Sequence, residues 1–307
     1  MREICCAVID LKSGASDLLE LGPQALESAG AAAHFCLLKP IWTEREDPVA
    51  LSPGMLSGTG VPGSGGMTWC CPGAEGLTLT AAEGRLGAML RYAGVEHLLF
   101  CGSCEGGQTV DVLVHDGRIS VTKHARTQGM PAGRIYAEAR KRQPDENSVI
   151  AVFTASGVLE DDCFSVGDRA LSARLRKKGL RSLTVAASGG VPVARPRQFT
   201  DQCVALWESW RQHRPEMEAD AAHPAHYLSI RSREQEPVCP LEDAPPGARA
   251  FAALGLFWGE QAGALGGFQT AAALAGAYLG SPVTPEGLEA LDAGMRGGTG
   301  NEHSCVL

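Results

Sequence analysis

The stretch from Val95 to Val121, VEHLLFCGSCEGGQTVDVLVHDGRISV, constrains the fold more than any other part of the chain. HLLFCG and TVDVLVHDGRISV are alternating apolar runs, the period of strands with one buried face. Within the second run His115-Asp116-Gly117 is a two-strand turn in which the glycine supplies positive φ. The rest of the chain is read around this hairpin. ICCAVID, from Ile4 to Asp10, is a strand followed by the turn KSG, and LLELGPQALESAGAAAHFCLL reads as helical up to Leu38, where Pro40 closes it. Ala81–Tyr92 and Ala132–Lys141 read as helices, the first with Leu86, Met89 and Leu90 on one face. The strand SVIAVFTA, a polar helix DRALSARLRKKG ended by Gly179, the strand RSLTVAA and the turn SGGVPVARP follow.

Beyond Phe199 the composition changes. Phe199–Arg214 reads as a helix, and Pro215–Pro246 is a polar, proline-containing linker. Ala248–Arg296 is almost all helix and small residues, with Thr284 as an N-cap ahead of Pro285. No internal repeat is visible. The expected fold class is α+β: a mixed-sheet N-terminal domain over residues 1–200, a helix and linker over 201–246, and a short helical region over 247–307.

Charge and cysteine content narrow the function classes. The net charge is −8 and no basic run or basic amphipathic helix dominates, which argues against a nucleic acid or an anionic membrane as partner. The small-apolar region around Gly263–Gly280 is too interrupted to span a membrane. The start, MREICCAVIDLK, lacks the apolar core of a secretory signal, so the expected location is the cytoplasm. Eleven cysteines without an export signal favour reduced thiols, metal ligands or redox thiols over a disulfide framework.

One stretch poses the functional question. Leu56–Cys71, LSGTGVPGSGGMTWCC, is either a backbone cradle for a ligand or a tight turn built from small residues. Its surroundings supply a resemblance. DPVALSPGMLSGTGVPGSGGM, then EGRLGAMLRYAG, the turn HDGRISV and KGLRSLTVAASGGVPVARP resemble, in that order over roughly residues 2–200, the N-terminal domain of tungsten-containing aldehyde ferredoxin oxidoreductases. LGLFWGEQAGALGGFQTAAALAGAYLGSPVTPEGLEALDAGMR is similar to that family's last helical section. Family members are about twice as long, and the middle of the chain, with its iron–sulfur cysteine motif, has no counterpart here.

The resemblance implies a tungsten or molybdenum pterin, held where glycine backbone lies against the pterins and Arg and N–H groups meet the phosphates. Carried over residue by residue, it points to Gly63, Ser64, Gly65, Gly84, Gly87 and Gly167 as cofactor-contacting positions. The same comparison shows substitutions. The arginine of the P-G-S-G-R loop is Gly66, and the Asn-x-Gly-Gly pattern is Ala81, Ala82, Glu83, Gly84. A glycine-rich run near the domain's end is GDRALSARLR, Gly167–Arg176, and ESAGAAAHFCLL at 27–38 replaces another glycine loop. The D-x-x-G-L-C motif falls on Ala252–Phe257, without its acid or its cysteine.

Cys101-Gly-Ser-Cys104 is the sharpest local signal outside the resemblance. It reads as half of a metal knuckle, as a redox dithiol, or as semi-buried thiols; its place after a strand rather than at a helix N-terminus disfavours the dithiol. Cys5-Cys6 and Cys70-Cys71 are adjacent pairs whose members point apart. His223-Pro-Ala-His226 lies in the linker, with Cys239 thirteen residues later; these are zinc or iron ligand types, but the segment reads rather as a solvated acidic loop. Arg174, Arg176, Lys177, Lys178 and Arg181 form a basic cluster that reads as a solvated helix face, with an acidic partner or a phosphate as the alternative. Ser64 has no identifiable base partner, and neither a Walker A run nor a nucleophile elbow is present.

The expectation is a compact, non-catalytic or accessory relative of the aldehyde ferredoxin oxidoreductases, one that has lost most tungstopterin and iron–sulfur contacts and binds a partner or another ligand. The alternative is a redox subunit that binds a tungsten or molybdenum pterin, with the iron–sulfur part and the electron-transfer partner supplied by another chain.

Overall fold

The computed structural model describes residues 3–38, 41, 44–72, 77–125, 129–144, 147–154, 157–160, 163–165, 169–212, 246–256 and 265–297. The first strand, β1 (Glu3–Asp10), turns through Ser13 and Gly14 into β2 (Ser16–Pro23). This corrects the helical reading of LLELG: Leu18 and Leu19 pair across β1 with Ala7 and Cys6. Strand propensity is decided by cross-strand packing, and an edge beside a buried β1 overrides the helical bias of Leu and Glu. After a 3-10 turn at Leu26–Ser28 come the short α1 (Gly30–Ala33) and a π turn, His34–Leu38.

The glycine-rich stretch is flanked by strands that sequence reading did not separate from it: β3 (Val49–Pro53), β4 (Gly66–Pro72) and β5 (Leu77–Glu83). Then α2 (Arg85–Tyr92) starts four residues later than expected, and β6 (His97–Cys101) follows. The hairpin β7 (Thr109–His115)–β8 (Arg118–His124) is as the sequence reads, with Asp116 at φ 45° and Gly117 at φ 76°, the paired positive values of a type I′ turn. Next come α3 (Ala132–Arg140), β9 (Val149–Thr154), β10 (Gly157–Glu160), β11 (Cys163–Ser165), α4 (Arg169–Lys177) and β12 (Leu180–Ala186). Among the described residues four further helices follow: α5 (Pro196–Gln212), α6 (Ala248–Leu254), α7 (Gly267–Leu279) and α8 (Pro285–Gly297). Thr284 caps α8 through a bond from Gly287 N to its Oγ1, 3.1 Å.

The strands form two six-stranded mixed sheets, in the orders β2-β1-β6-β3-β4-β5 and β8-β7-β12-β9-β10-β11. The two halves run through the same sequence of elements: a hairpin, a helix, a three-strand meander, a helix, and a last strand inserted parallel to the first. The chain therefore does carry an internal repeat, one of topology that leaves no sequence trace. One difference between the halves bears on the glycine stretch. The connection between β3 and β4 is the long glycine loop, whereas β9 and β10 are separated only by 155–156.

One face of each sheet turns toward the other sheet, and α2 packs against strands of both. Trp69 meets Phe153 edge-on at this seam, ring centroids 5.9 Å apart. The opposite face of the first sheet is covered by α1, α6 and α8, through Ala31, Ala32, Ala252, Ala253, Leu291 and Met295. On the second sheet α3 lays Ile135, Tyr136 and Ala139 over Ile150 and Val152. Another apolar cluster joins Met55, Leu56 and Val61 of the glycine loop to α5, α6, α7 and α8. No helix among the described residues is long and apolar enough to cross a membrane.

Candidate functional site

A cradle for an anionic ligand needs backbone N–H groups that face outward and lack a partner in the protein. In the loop between β3 and β4 most such groups are committed elsewhere. Gly54 N donates to Gly66 O, Ser57 N to Gly54 O, Thr59 N to Leu56 O and Ser64 N to Val61 O, all at 3.0–3.2 Å. Met55 N, Leu56 N and Gly66 N donate to Ala253 O, Leu254 O and Gly255 O, at 3.0, 2.9 and 3.0 Å. The carbonyls are engaged as well. Tyr92 Oη donates to Gly58 O at 2.6 Å, Trp207 Nε1 to Gly60 O at 2.7 Å, and Ser57 Oγ to Gly66 O.

Within this loop Ser64 is buried, with its hydroxyl directed at Thr59 O, 3.4 Å away. Gly63, at φ 71°, and Gly65 are half-buried. Gly65 O accepts from Gly84 N at 3.2 Å, so Gly84, just before α2, stands beside the loop. Gly87 is interior: a Cβ there would lie 3.3 Å from Met67 Cβ and 3.4 Å from Pro53 Cβ, which makes it a helix–sheet packing glycine. Gly167 lies outside the described residues.

Four of the five regions that the resemblance links to a cofactor converge, with polypeptide at their centre, while α4 of the fifth packs against the second sheet. Residues 252–255, at the end of α6, are approached closely by two glycines from other parts of the chain, Gly30 and Gly54, and Gly255 within the segment leaves room in turn. A Cβ on Gly54 would overlap the backbone of Gly255. One on Gly30 would come within 2.7 Å of Ala253 O, and one on Gly255, itself at φ 77°, would strike Ser57 and Gly54. Arg91 locks this junction. Its fully buried guanidinium donates to Gly54 O at 2.9 Å, to Met55 O and to Tyr278 Oη, and lies 5.2 Å from the Tyr278 ring centroid. Tyr278 Oη in turn lies 3.1 Å from Gln24 Oε1. The backbone of 253–255 fills this centre. Sequence reasoning missed Arg91 and Tyr278, because an arginine beside Leu90 on a short helix carries no local sign of being interior.

Beneath the junction a polar row crosses the helix-covered face of the first sheet. Cys6 pairs with His97 and Ser52 with Thr68, and His34 lies over the row. His97 Nδ1 is 2.8 Å from Ser52 Oγ, and Thr68 Oγ1 donates to Ser52 O at 3.2 Å. The one hydroxyl proton of Thr68 is thereby used, so the 3.1 Å contact with His34 requires His34 Nε2 to be the donor. Burial, with mutual repulsion, pushes the His34 pKa down to about 3. Burial and the nearby Arg91 charge lower His97 to about 3 as well. Burial thus keeps both imidazoles neutral.

The thiols of Cys101 and Cys104 are not activated. Burial raises Cys101 to about 11 and raises Cys104 too, the reverse of a nucleophilic or metal-ready thiolate. Cys104 Sγ is engaged with Leu11 O at 3.2 Å. Among the described residues no group of three or more His, Cys, Asp or Glu converges where a metal ion could sit. Cys70 and Cys71 face opposite sides of β4, as adjacent strand residues do. His223, His226 and Cys239 lie outside the described residues.

The basic run is a correction. Arg174 and Lys178 both engage Asp47, with Lys178 Nζ 3.0 Å from Oδ2. Arg181 is buried against Asp111, Nε to Oδ1 2.8 Å, and against Glu138 at 3.1 Å. Of the five cations, Arg176 and Lys177 keep the exposed side of α4. The solvated-face reading failed because the acidic partners lie far away in sequence.

Residues 7–159 match the family described as aldehyde ferredoxin oxidoreductase, N-terminal domain. No curated protein matches the chain in sequence. Among solved structures, the fold is similar to a chain of the active site complex BamBC of benzoyl coenzyme A reductase, determined in complex with 1,5-dienoyl-CoA. The TM-score is 0.61 at 16% identity, covering 73% of this chain and 37% of that one. At this identity the likeness speaks for the fold alone, and this chain spans little more than a third of that relative's length.

Proposed function

Because the chain belongs, through residues 7–159, to the aldehyde ferredoxin oxidoreductase N-terminal domain family, we propose that it is an accessory, non-catalytic member that acts by binding a partner or another ligand and not through a tungstopterin. The observation that carries this is the commitment of the 54–66 backbone to the protein's own groups, above all to residues 253–255. The substitutions at Gly66, at 81–84 and at 252–257 support it from the sequence side. Purification of the untagged protein under anaerobic conditions from its native host, followed by elemental analysis, tests it. Neither tungsten nor molybdenum is expected in stoichiometric amount, and either one at one atom per chain overturns the reading.

The second reading, a redox subunit completed by another chain, is favoured by one finding: the similar solved chain comes from a complex. A half-enzyme should present a broad apolar face to its other half. Among the described residues the large exposed hydrophobics are Leu18, Val204 and Trp207, the last two one turn apart on α5. That narrow strip suits a modest partner contact better than the missing half of an enzyme. Tungsten in a co-purified complex, and none in the isolated chain, would establish the second reading in place of the first.

A further inference from the structure

We propose that the glycine loop 54–66 is a polypeptide-docking groove whose occupant is the chain's own segment 252–255, and that this docking holds α6, α7 and α8 onto the N-terminal sheets. The inference deepens the functional reading above and rests on the same loop. Three features make the groove specific for backbone. Its donors, Met55 N, Leu56 N and Gly66 N, are spaced to take three successive carbonyls, Ala253 O, Leu254 O and Gly255 O. Gly54 meets Gly255, and Gly30 meets Ala252 and Ala253, without side chains, so the approach is closer than any residue with a Cβ permits. Arg91 and Tyr278 then tie the groove to α7.

The occupant is a segment of this chain rather than a partner's, because its apolar flanks continue the same core. Leu254 and Leu256 lie in one buried cluster with Met55, Leu56 and Val61. A planar heterocycle and this segment are mutually exclusive occupants, since the backbone of 253–255 takes the loop's N–H groups.

Hydrogen exchange with mass spectrometry on the full chain tests the docking, using wild type, Gly54→Val and the control Gly60→Val, where a Cβ meets open space. In wild type, amides of 54–56, 66 and 250–256 are expected to exchange together and slowly. Gly54→Val should speed exchange by about tenfold or more in both 54–66 and 248–279, leaving β7, β9 and β12 protected, while Gly60→Val changes neither segment. Wild-type amides at 55, 56 and 66 that exchange like an unstructured chain overturn the proposal. So does a Gly54→Val protein in which 248–279 loosens while 54–66 stays protected. The wild-type measurement decides even where the variant does not fold. Tungsten and molybdenum content of the same sample separates the two ideas: metal present with slow amides sinks the accessory function and spares the docking, and no metal with fast amides does the reverse.

Discussion

His34 and His97 show how far a residue's role can lie from its local sequence. Neither neighbourhood announces a buried imidazole, yet both are fully buried and neutral around Ser52 and Thr68. Their folded pKa values, about 3, lie well below the ordinary imidazole value of 6.5. The unfolded chain therefore binds more protons below pH 6.5. The stability contribution is whole above that pH and is lost as pH falls toward 3, by up to about 1.4 kcal/mol per pH unit for each histidine. Urea midpoints measured from pH 7 to pH 4.5 should fall steadily, and His34→Gln, whose amide can still donate to Thr68, should make the decline shallower by about half. A wild-type midpoint that stays level across that range contradicts the neutral, buried pair. Asp111 acts in a separate window. Burial alone would raise its pKa, but hydrogen bonds from Arg181 and Ser182 hold it below 3.8, so its contribution disappears only in stronger acid. None of these partnerships is legible in the sequence, because each joins residues tens of positions apart.

Elements were legible where their periodicity was clean and illegible where both faces are buried. The β7–β8 hairpin alternates and carries its turn residues in plain view. In contrast β3 and β4, VALSP and GMTWCCP, are buried almost throughout, so no polar face marks the period and the adjoining glycines hide where the strand starts. Helix α4 was placed correctly, but its charges were misjudged. In the second sheet Asp111 of β7 gathers Arg181 and Ser182 of β12, Arg142 after α3, and His124 of β8, so one carboxylate pins three strands and a helix end. Asp111→Asn leaves Arg181 buried with a single acidic partner, Glu138. It is expected to cost about 3–5 kcal/mol, read as a shift of the denaturation midpoint at neutral pH. A loss under 1 kcal/mol would mean that the cluster is held by its hydrogen bonds alone. At the end of α8, Thr284→Ala should cost about 1 kcal/mol in the same assay.

For the molecule as a whole, the sequence announced an α+β fold and a glycine loop, and it did not announce the duplicated sheet topology or what the loop packs against. Topology is carried by pairing order, which no local pattern encodes. The loop's role depends on Gly255 and Tyr278, some two hundred positions downstream. Because one apolar cluster spans the loop and α5–α8, calorimetry should show a single cooperative transition. Two resolved transitions would mean that the helical part melts independently. The clasp of Gly54 and Gly66 around Gly255 also sets a timetable for synthesis. Gly255 is made 189 positions after Gly66 (255 − 66), which at ordinary translation speed takes roughly 10 to 40 s. For that interval the amides of Met55, Leu56 and Gly66 have no carbonyls to meet, so the nascent first half waits on the ribosome with its glycine loop unfilled.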